Sequence, residues 1–302
     1  MQQPQPQSAS GGLAMALGAH LVWGLLPLYL KLVHAVPPVE FVGWRIVFAL
    51  PFCLLFILLR RQLGELWAIL RSLKTMRALA ASALLIAANW LIYVFAIQTG
   101  HVYAASFGYY VSPLMQVLAG TLFLGERLSP RQWWAVALAG LGVAVLGWGE
   151  LSMLWISLAL AASWSGYGLI RKLVPVGSLP GLTVEAMVLI PFAAGYLAWL
   201  GAGPTRLSFG HELGMSSLIV LAGPLTALPL TLFAIAARRL KFSTLGMLQF
   251  TSPTVVFLLG ATVFGLPLEV GQLASFAIIW AAIAMFLWDL VAPRRLAEKT
   301  PA

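Results

Sequence analysis

The chain reads as a succession of long Leu/Ala/Val/Ile-rich runs separated by short polar joints, without the two-residue alternation of a barrel strand. Ten runs reach the length that crosses a bilayer as a helix, about 17–25 residues. They fall at roughly 13–33, 41–59, 78–98, 104–124, 133–149, 152–170, 183–200, 216–236, 243–264 and 270–291. The pattern therefore predicts ten spans. Apart from 60–77 and 201–215 the joints are short, and none has room for a soluble domain. Within 60–77, Leu63, Leu66, Trp67, Ile69 and Leu70 alternate with Arg and Lys, which predicts either a short amphipathic helix on the membrane interface or a solvated loop. Residues 1–12 are polar, carry two prolines and no Lys or Arg, and are expected to form a disordered tail before a retained first helix.

Composition agrees with the pattern. Of 302 residues, 61% are apolar and 9% charged, against about 25% charged in a soluble domain. Lipid has to replace water around most of this surface. Backbone groups there are satisfied only in helices or closed barrels, and the unalternated runs favour helices. A net charge of +9 raises nucleic acid as a partner, yet the basic residues sit in the joints, where membrane orientation explains them. Fifteen Lys and Arg fall on the side of the N-terminal tail and every second joint, two on the other side (Lys31 and Arg206), and Arg45 stays inside a span. Both termini are therefore expected in the cytoplasm. The one cysteine, Cys53, rules out an intrachain disulfide and is read as a small core residue. No P-loop, Gly-x-Ser-x-Gly or His-Glu-x-x-His motif occurs, and the nine acidic residues are scattered. Catalysis, ATP hydrolysis, metals and cofactors are not expected.

Displacing the sequence by 140 residues brings Pro51-Phe52 onto Pro191-Phe192, Ser112-Pro113 onto Ser252-Pro253, Gly120 onto Gly260, Gly125 onto Gly265 and Lys31 onto Arg171. One shared offset argues for a duplicated five-span unit. Five is odd, so the copies must run in opposite senses, as in secondary transporters built from inverted repeats. Arg45 and Glu185 are also 140 apart and are expected near opposite faces, unpaired with each other.

Pro113 and Pro253 fall inside spans four and nine, where each frees the carbonyl four residues earlier, of Tyr109 and Gln249. Free carbonyls at mid-membrane need protein or a water-filled cavity around them, so these spans either face a cavity or merely kink to pack. Pro27 is a third candidate kink. Aromatic and amide residues lie nearby: Trp23, Tyr29, Asn89, Trp90, Tyr93, Tyr109, Tyr110, Trp164, Ser165, Tyr167 and Gln249. Asn89 and Gln249 either bond neighbouring helices or line the cavity. Arg45 and Glu185 are either gate and substrate contacts or interfacial anchors. His20 and His101 read as structural. Ala135/Ala139, Gly140/Ala144 and Ala277/Ala281 mark close helix packing or an oligomer contact.

Several stretches resemble the EamA-type drug/metabolite transporters, and among them the RarD group. They are Trp23-Gly24 with Pro27 and Lys31, Ala88-Asn89-Trp90-Leu91, the run from Ala104 to Tyr110, Ser112-Pro113-Leu114 and Phe123-Leu124-Gly125-Glu126-Arg127. The later ones are Tyr167-Gly168-Leu169-Ile170-Arg171-Lys172, Ser243-Thr244-Leu245-Gly246 with Gln249, and Pro253-Thr254. The resemblance implies an all-α membrane protein with ten transmembrane helices in two inverted five-helix repeats, 13–149 and 152–291, between cytoplasmic tails 1–12 and 292–302. It further implies an inner-membrane permease for small metabolites or drug-like solutes, acting outward or by exchange, as a monomer or weak homodimer. A cavity lined by helices one, three, four, six, eight and nine belongs to the same expectation. The second repeat departs from the pattern, reading Gly265-Leu266-Pro267 where the first has Gly125-Glu126. A non-transporting scaffold or sensor, with a closed apolar interior, and a lipid-acting enzyme are the alternatives. With no acid recognisable at mid-span, uniport or exchange is favoured over tight proton coupling.

The charge count is open to a direct check. A green fluorescent protein fused to the C-terminus should fluoresce and an alkaline phosphatase fused there should be inactive. The reverse pattern would place the termini outside.

Overall fold

Apolar runs that cannot hydrogen-bond to lipid have to close their backbone bonds locally, and they do so as α-helices. The computed structural model describes residues 9–99, 101–147, 154–204, 206–265 and 270–291, and shows no strand among them. In chain order the helices are α1 (Ala9–Leu32), α2 (Pro38–Leu59), α3 (Leu63–Arg71), α4 (Leu73–Gln98), α5 (Val102–Phe123) and α6 (Pro130–Leu146). They continue as α7 (Leu154–Leu173), α8 (Ser178–Ala202), α9 (Leu213–Arg239), α10 (Phe242–Gln249), α11 (Thr251–Thr262) and α12 (Val270–Val291). Seven, counting α10 with α11 as one, are long and apolar enough to cross a membrane. The remaining apolar runs are α5, α6 and α7, which are shorter or more polar. Residues 1–8 and 292–302, the joint 148–153, and Leu266 with Pro267 lie outside the described residues.

The prolines behave unequally. Helices α1 and α5 run unbroken through Pro27 and Pro113. At Pro253 the helix is interrupted at Phe250, so that this proline falls in the first turn of α11, where a missing N–H costs little. The expected kinks at Pro27 and Pro113 therefore do not break their helices. Joint 60–77 forms the amphipathic helix α3, with Leu66 and Ile69 buried and Trp67 exposed.

Lipid supplies no hydrophobic drive between helices, so close approach at small residues has to hold them together. A Cβ on Gly223 of α9 would overlap the Phe48 carbonyl of α2. One on Gly24 of α1 would lie 2.6 Å from the Val255 Cβ of α11, and one on Gly246 of α10 would lie 2.7 Å from the Pro113 carbonyl oxygen of α5. Helix α6 lays Ala135, Ala139 and Gly142 against Ile279, Ala282 and Phe286 of α12. Ala277 and Ala281 are exposed instead, so within one chain that stripe meets no neighbouring helix: four-residue spacing identifies a stripe but not what it packs against.

The packing partners form an ordered set. Helices α2 and α8, α5 and α10, and α6 and α12 pack together, while α1 meets α9 and α11 as α7 meets α4 and α5. Gly125 and Gly265, 140 residues apart, follow the ends of α5 and α11 with φ of 62° and 63°, a left-handed conformation that glycine adopts without penalty.

The close approach at Gly223 generates a stability test. Gly223→Ala should lower stability in detergent by about 1–3 kcal/mol, as overpacking does, while Gly195→Ala, where nothing lies within 4 Å, should leave the thermal midpoint unchanged.

Candidate functional site

Arg45 lies seven residues inside α2, about 10 Å from its start at 1.5 Å per residue. A charge at this depth calls for partners. Its Nε donates to the Thr226 hydroxyl of α9 at 3.0 Å, and its Cζ sits 4.5 Å from the ring centroid of Trp90 on α4. Tyr29, Tyr93 and Tyr109, from α1, α4 and α5, lie within electrostatic range. The rings of Tyr93 and Tyr109 meet edge to face at 5.8 Å. No carboxylate pairs with Arg45 among the described residues, and its Nη groups neither donate to protein there nor are sealed from solvent. Tyr109 is 40% exposed and Arg45 and Tyr93 are partly so, so these three border an accessible space, whereas Tyr29 is buried and donates to the Leu218 carbonyl.

Glu185 lies seven residues inside α8, the same depth from the opposite, basic end of the bundle. It is 2% exposed and accepts hydrogen bonds from the Ser82 hydroxyl at 2.5 Å and the Tyr167 hydroxyl at 3.4 Å. Arg171 Nη1 is 3.6 Å away, and Arg171 Nη2 donates to the Ser178 carbonyl at 2.8 Å. Gly181 makes room for that guanidinium, which a Cβ would strike. Counted from the sequence as a joint charge, Arg171 is in fact buried.

A cavity of about 30 Å³ separates the two charged groups, lined by Trp90, Glu185 and Thr226 among apolar side chains. Its volume is that of roughly one or two waters. Beside it the rings of Trp23, Trp164, Tyr167 and Phe233 pack together edge to face, tilted and stacked, with centroids 5.0–6.2 Å apart. Trp164 Nε1 and Gln116 Nε2 both donate to Gln249 Oε1, at 2.9 and 2.8 Å. His20 is buried behind them, its Nδ1 3.2 Å from the Ser252 hydroxyl.

Below Glu185 the basic end is tied shut. The Glu126 carboxylate accepts from the Phe242 and Ser243 backbone N–H groups and the Ser243 hydroxyl at the start of α10. Lys172 donates to the Ala237 and Leu240 carbonyls, Arg238 to the Val176 carbonyl, and the Gly177 N–H to Glu65.

Of the residues singled out by sequence, Arg45, Trp90, Tyr93 and Tyr109 come together around the accessible space. Trp23, Trp164, Tyr167 and Gln249 form the wall beneath it. Three candidates fall elsewhere. Tyr110 packs against Phe276 of α12. Asn89 Nδ2 donates to the Leu160 carbonyl and Ser163 hydroxyl of α7, at 2.9 and 3.0 Å, tying α4 to α7. Glu185 is locked within its network rather than anchored at an interface. Thr226, Gln116 and Ser82 were not singled out: a hydroxyl in an apolar run carries no signal until its partner is known, while Gln116 carries the same amide signal as Asn89 and Gln249.

The EamA-like transporter family matches residues 10–148. An uncharacterized transporter of Pseudomonas aeruginosa is 43% identical over 92% of this chain and 93% of its own length. Protein RarD of Salmonella typhimurium is 38% identical over 94% and 97%, and the chloramphenicol-sensitive protein RarD of Pseudomonas aeruginosa 30% identical over 92% and 94%. A solved crystal structure superposes with a TM-score of 0.73 at 20% identity, covering 95% of this chain and all of the other, which establishes likeness of fold alone.

The buried ion pair makes a checkable claim. Glu185→Ala should cost about 3–5 kcal/mol of stability by stranding Arg171, and adding Arg171→Leu should restore part of it. An unchanged thermal midpoint for Glu185→Ala would show that the pair carries no such weight.

Proposed function

The chain belongs to the EamA-like transporter family, alongside the RarD proteins, and from that premise we propose that it is an inner-membrane secondary transporter of small metabolites or drug-like solutes. It works by alternating access, as an exporter or exchanger, with ten spans in two inverted five-helix repeats and both termini in the cytoplasm. Helices α1, α2, α4, α5 and α6 form one repeat, and α7, α8, α9, α10 with α11, and α12 the other. The amphipathic α3 stands outside the repeat.

One observation carries this reading: matched in that order, the helices exchange partners as a two-fold axis requires. The contacts of α1 with α9 and α11 become those of α7 with α4 and α5, and α2, α5 and α6 each meet their own counterpart. Arg45 and Glu185, at equal depths from opposite ends, and the paired glycines Gly125 and Gly265 follow the same relation. Two like halves facing opposite ways around a central space give a solute one site with two routes. The path runs past Arg45, Trp90, Tyr93 and Tyr109, and its floor is the Trp23, Trp164 and Gln249 layer.

Liposomes holding the full chain and loaded with mixed metabolites and chloramphenicol should release at least one solute faster than protein-free liposomes, with or without a pH gradient. Gln249→Leu leaves the Trp164 and Gln116 donors unpaired, a cost of about 1–3 kcal/mol each, and should slow that release about tenfold. Release no faster than from empty liposomes would overturn the assignment.

A further inference from the structure

The charge that faces the accessible space has one sign. We propose that the Arg45 cluster binds a small aromatic monocarboxylate, and that organic anions of this kind, rather than amino acids or cations, are the solutes carried. The inference rests on the transport reading and adds the chemistry of the cargo.

Arg45 is held in a fixed pose. Thr226 takes its Nε at 3.0 Å, and Trp90 lies 4.5 Å from its Cζ. A guanidinium fixed this way keeps its Nη groups for a two-pronged contact with a carboxylate. Left unpaired, a cation seven residues inside a span is costly, and the solute's anion relieves that cost only while bound. The walls add the second half of the specificity. Trp90, Tyr93 and the 40% exposed Tyr109 offer aromatic surfaces, against which a flat ring gains offset or edge-to-face contacts of about 0.5–1.5 kcal/mol each. An ammonium finds no carboxylate paired at Arg45 to receive it among the described residues. Among the described carboxylates in or beside the spans, Glu185 is engaged by Arg171, Ser82 and Tyr167, Glu40 by Trp44 and Ser208, Glu126 by the start of α10 and Asp289 by Ser129, while Glu212 stands exposed at the start of α9, and none of them pairs with Arg45. A zwitterionic amino acid would bring its ammonium beside the Arg45 cation and strip it of water with no carboxylate to replace it.

The test is equilibrium binding of radiolabelled benzoate to the purified full chain, with benzamide and L-phenylalanine as competitors. Benzoate should bind saturably, and benzamide and phenylalanine at least about tenfold more weakly, the loss expected for one charge-assisted contact. Arg45→Gln should weaken benzoate at least about tenfold, with Arg45→Lys falling between. The competitor comparison uses the native protein and holds even where a variant folds poorly. No saturable benzoate binding, or benzamide or phenylalanine equal to benzoate, overturns the proposal. Liposome flux separates the two claims. A neutral solute carried while benzoate fails to bind overturns the anion site and leaves transport standing. Arg45-dependent benzoate binding with no solute carried upholds the site and overturns transport.

Discussion

Every polar atom that these helices take into lipid has to find its partner inside the protein, because the bilayer offers none. Most have done so across helix boundaries. Asn89 ties α4 to α7, Gln249 gathers donors from α5 and α7, and Glu185 joins α4, α7 and α8 through Ser82, Tyr167 and Arg171. These bonds do for the interior what small residues do for the packing: they specify which helix lies against which. His20 Nε2, Gln116 Oε1, Ser165 Oγ and the Arg171 Nε are buried without a partner, whereas the Arg45 Nη groups, likewise without a protein partner among the described residues, stay open to solvent. A cation inside a span that is open to solvent and has no carboxylate beside it directs attention to what comes and goes.

The ends of the bundle differ. At the basic end Glu126 caps α10, Glu65 holds Gly177, and Lys172 and Arg238 clasp carbonyls. At the other end Glu40 pins Ser208 and Tyr29 reaches the Leu218 carbonyl, yet Tyr109 stays accessible. The residue 140 positions after Glu126 is Leu266, so under the proposed repeat the capping carboxylate has no counterpart at that offset. Under the proposed mechanism this conformation is closed toward the cytoplasm and open toward Arg45, and breaking the Glu126 cap belongs to the step that reverses it.

Much of this was legible in sequence, for physical reasons. Bilayer thickness fixes the length of an apolar run, so the helices could be placed to within a few residues, and Arg45, Trp90 and Tyr109 stood out because polar groups in such runs are expensive. Partnership was not legible. Arg171 looked like a joint charge because nothing in its neighbours in sequence shows that Gly181 opens a slot for it. Tyr110 looked equivalent to Tyr109, yet one step along a helix turns a side chain by 100°, here from the central space to α12. Pro113 and Pro253 carried the same motif, but only the second lies at a helix start.

The central claim is that water and solute reach Arg45 and Tyr109 from the side opposite the termini. Cys53 is buried, so Tyr109→Cys in a Cys53→Ala background reports on that space alone. A membrane-impermeant thiol reagent should label the new cysteine from the side opposite the termini, and benzoate should slow the labelling. Labelling from the termini side alone, or from neither side, would contradict the account.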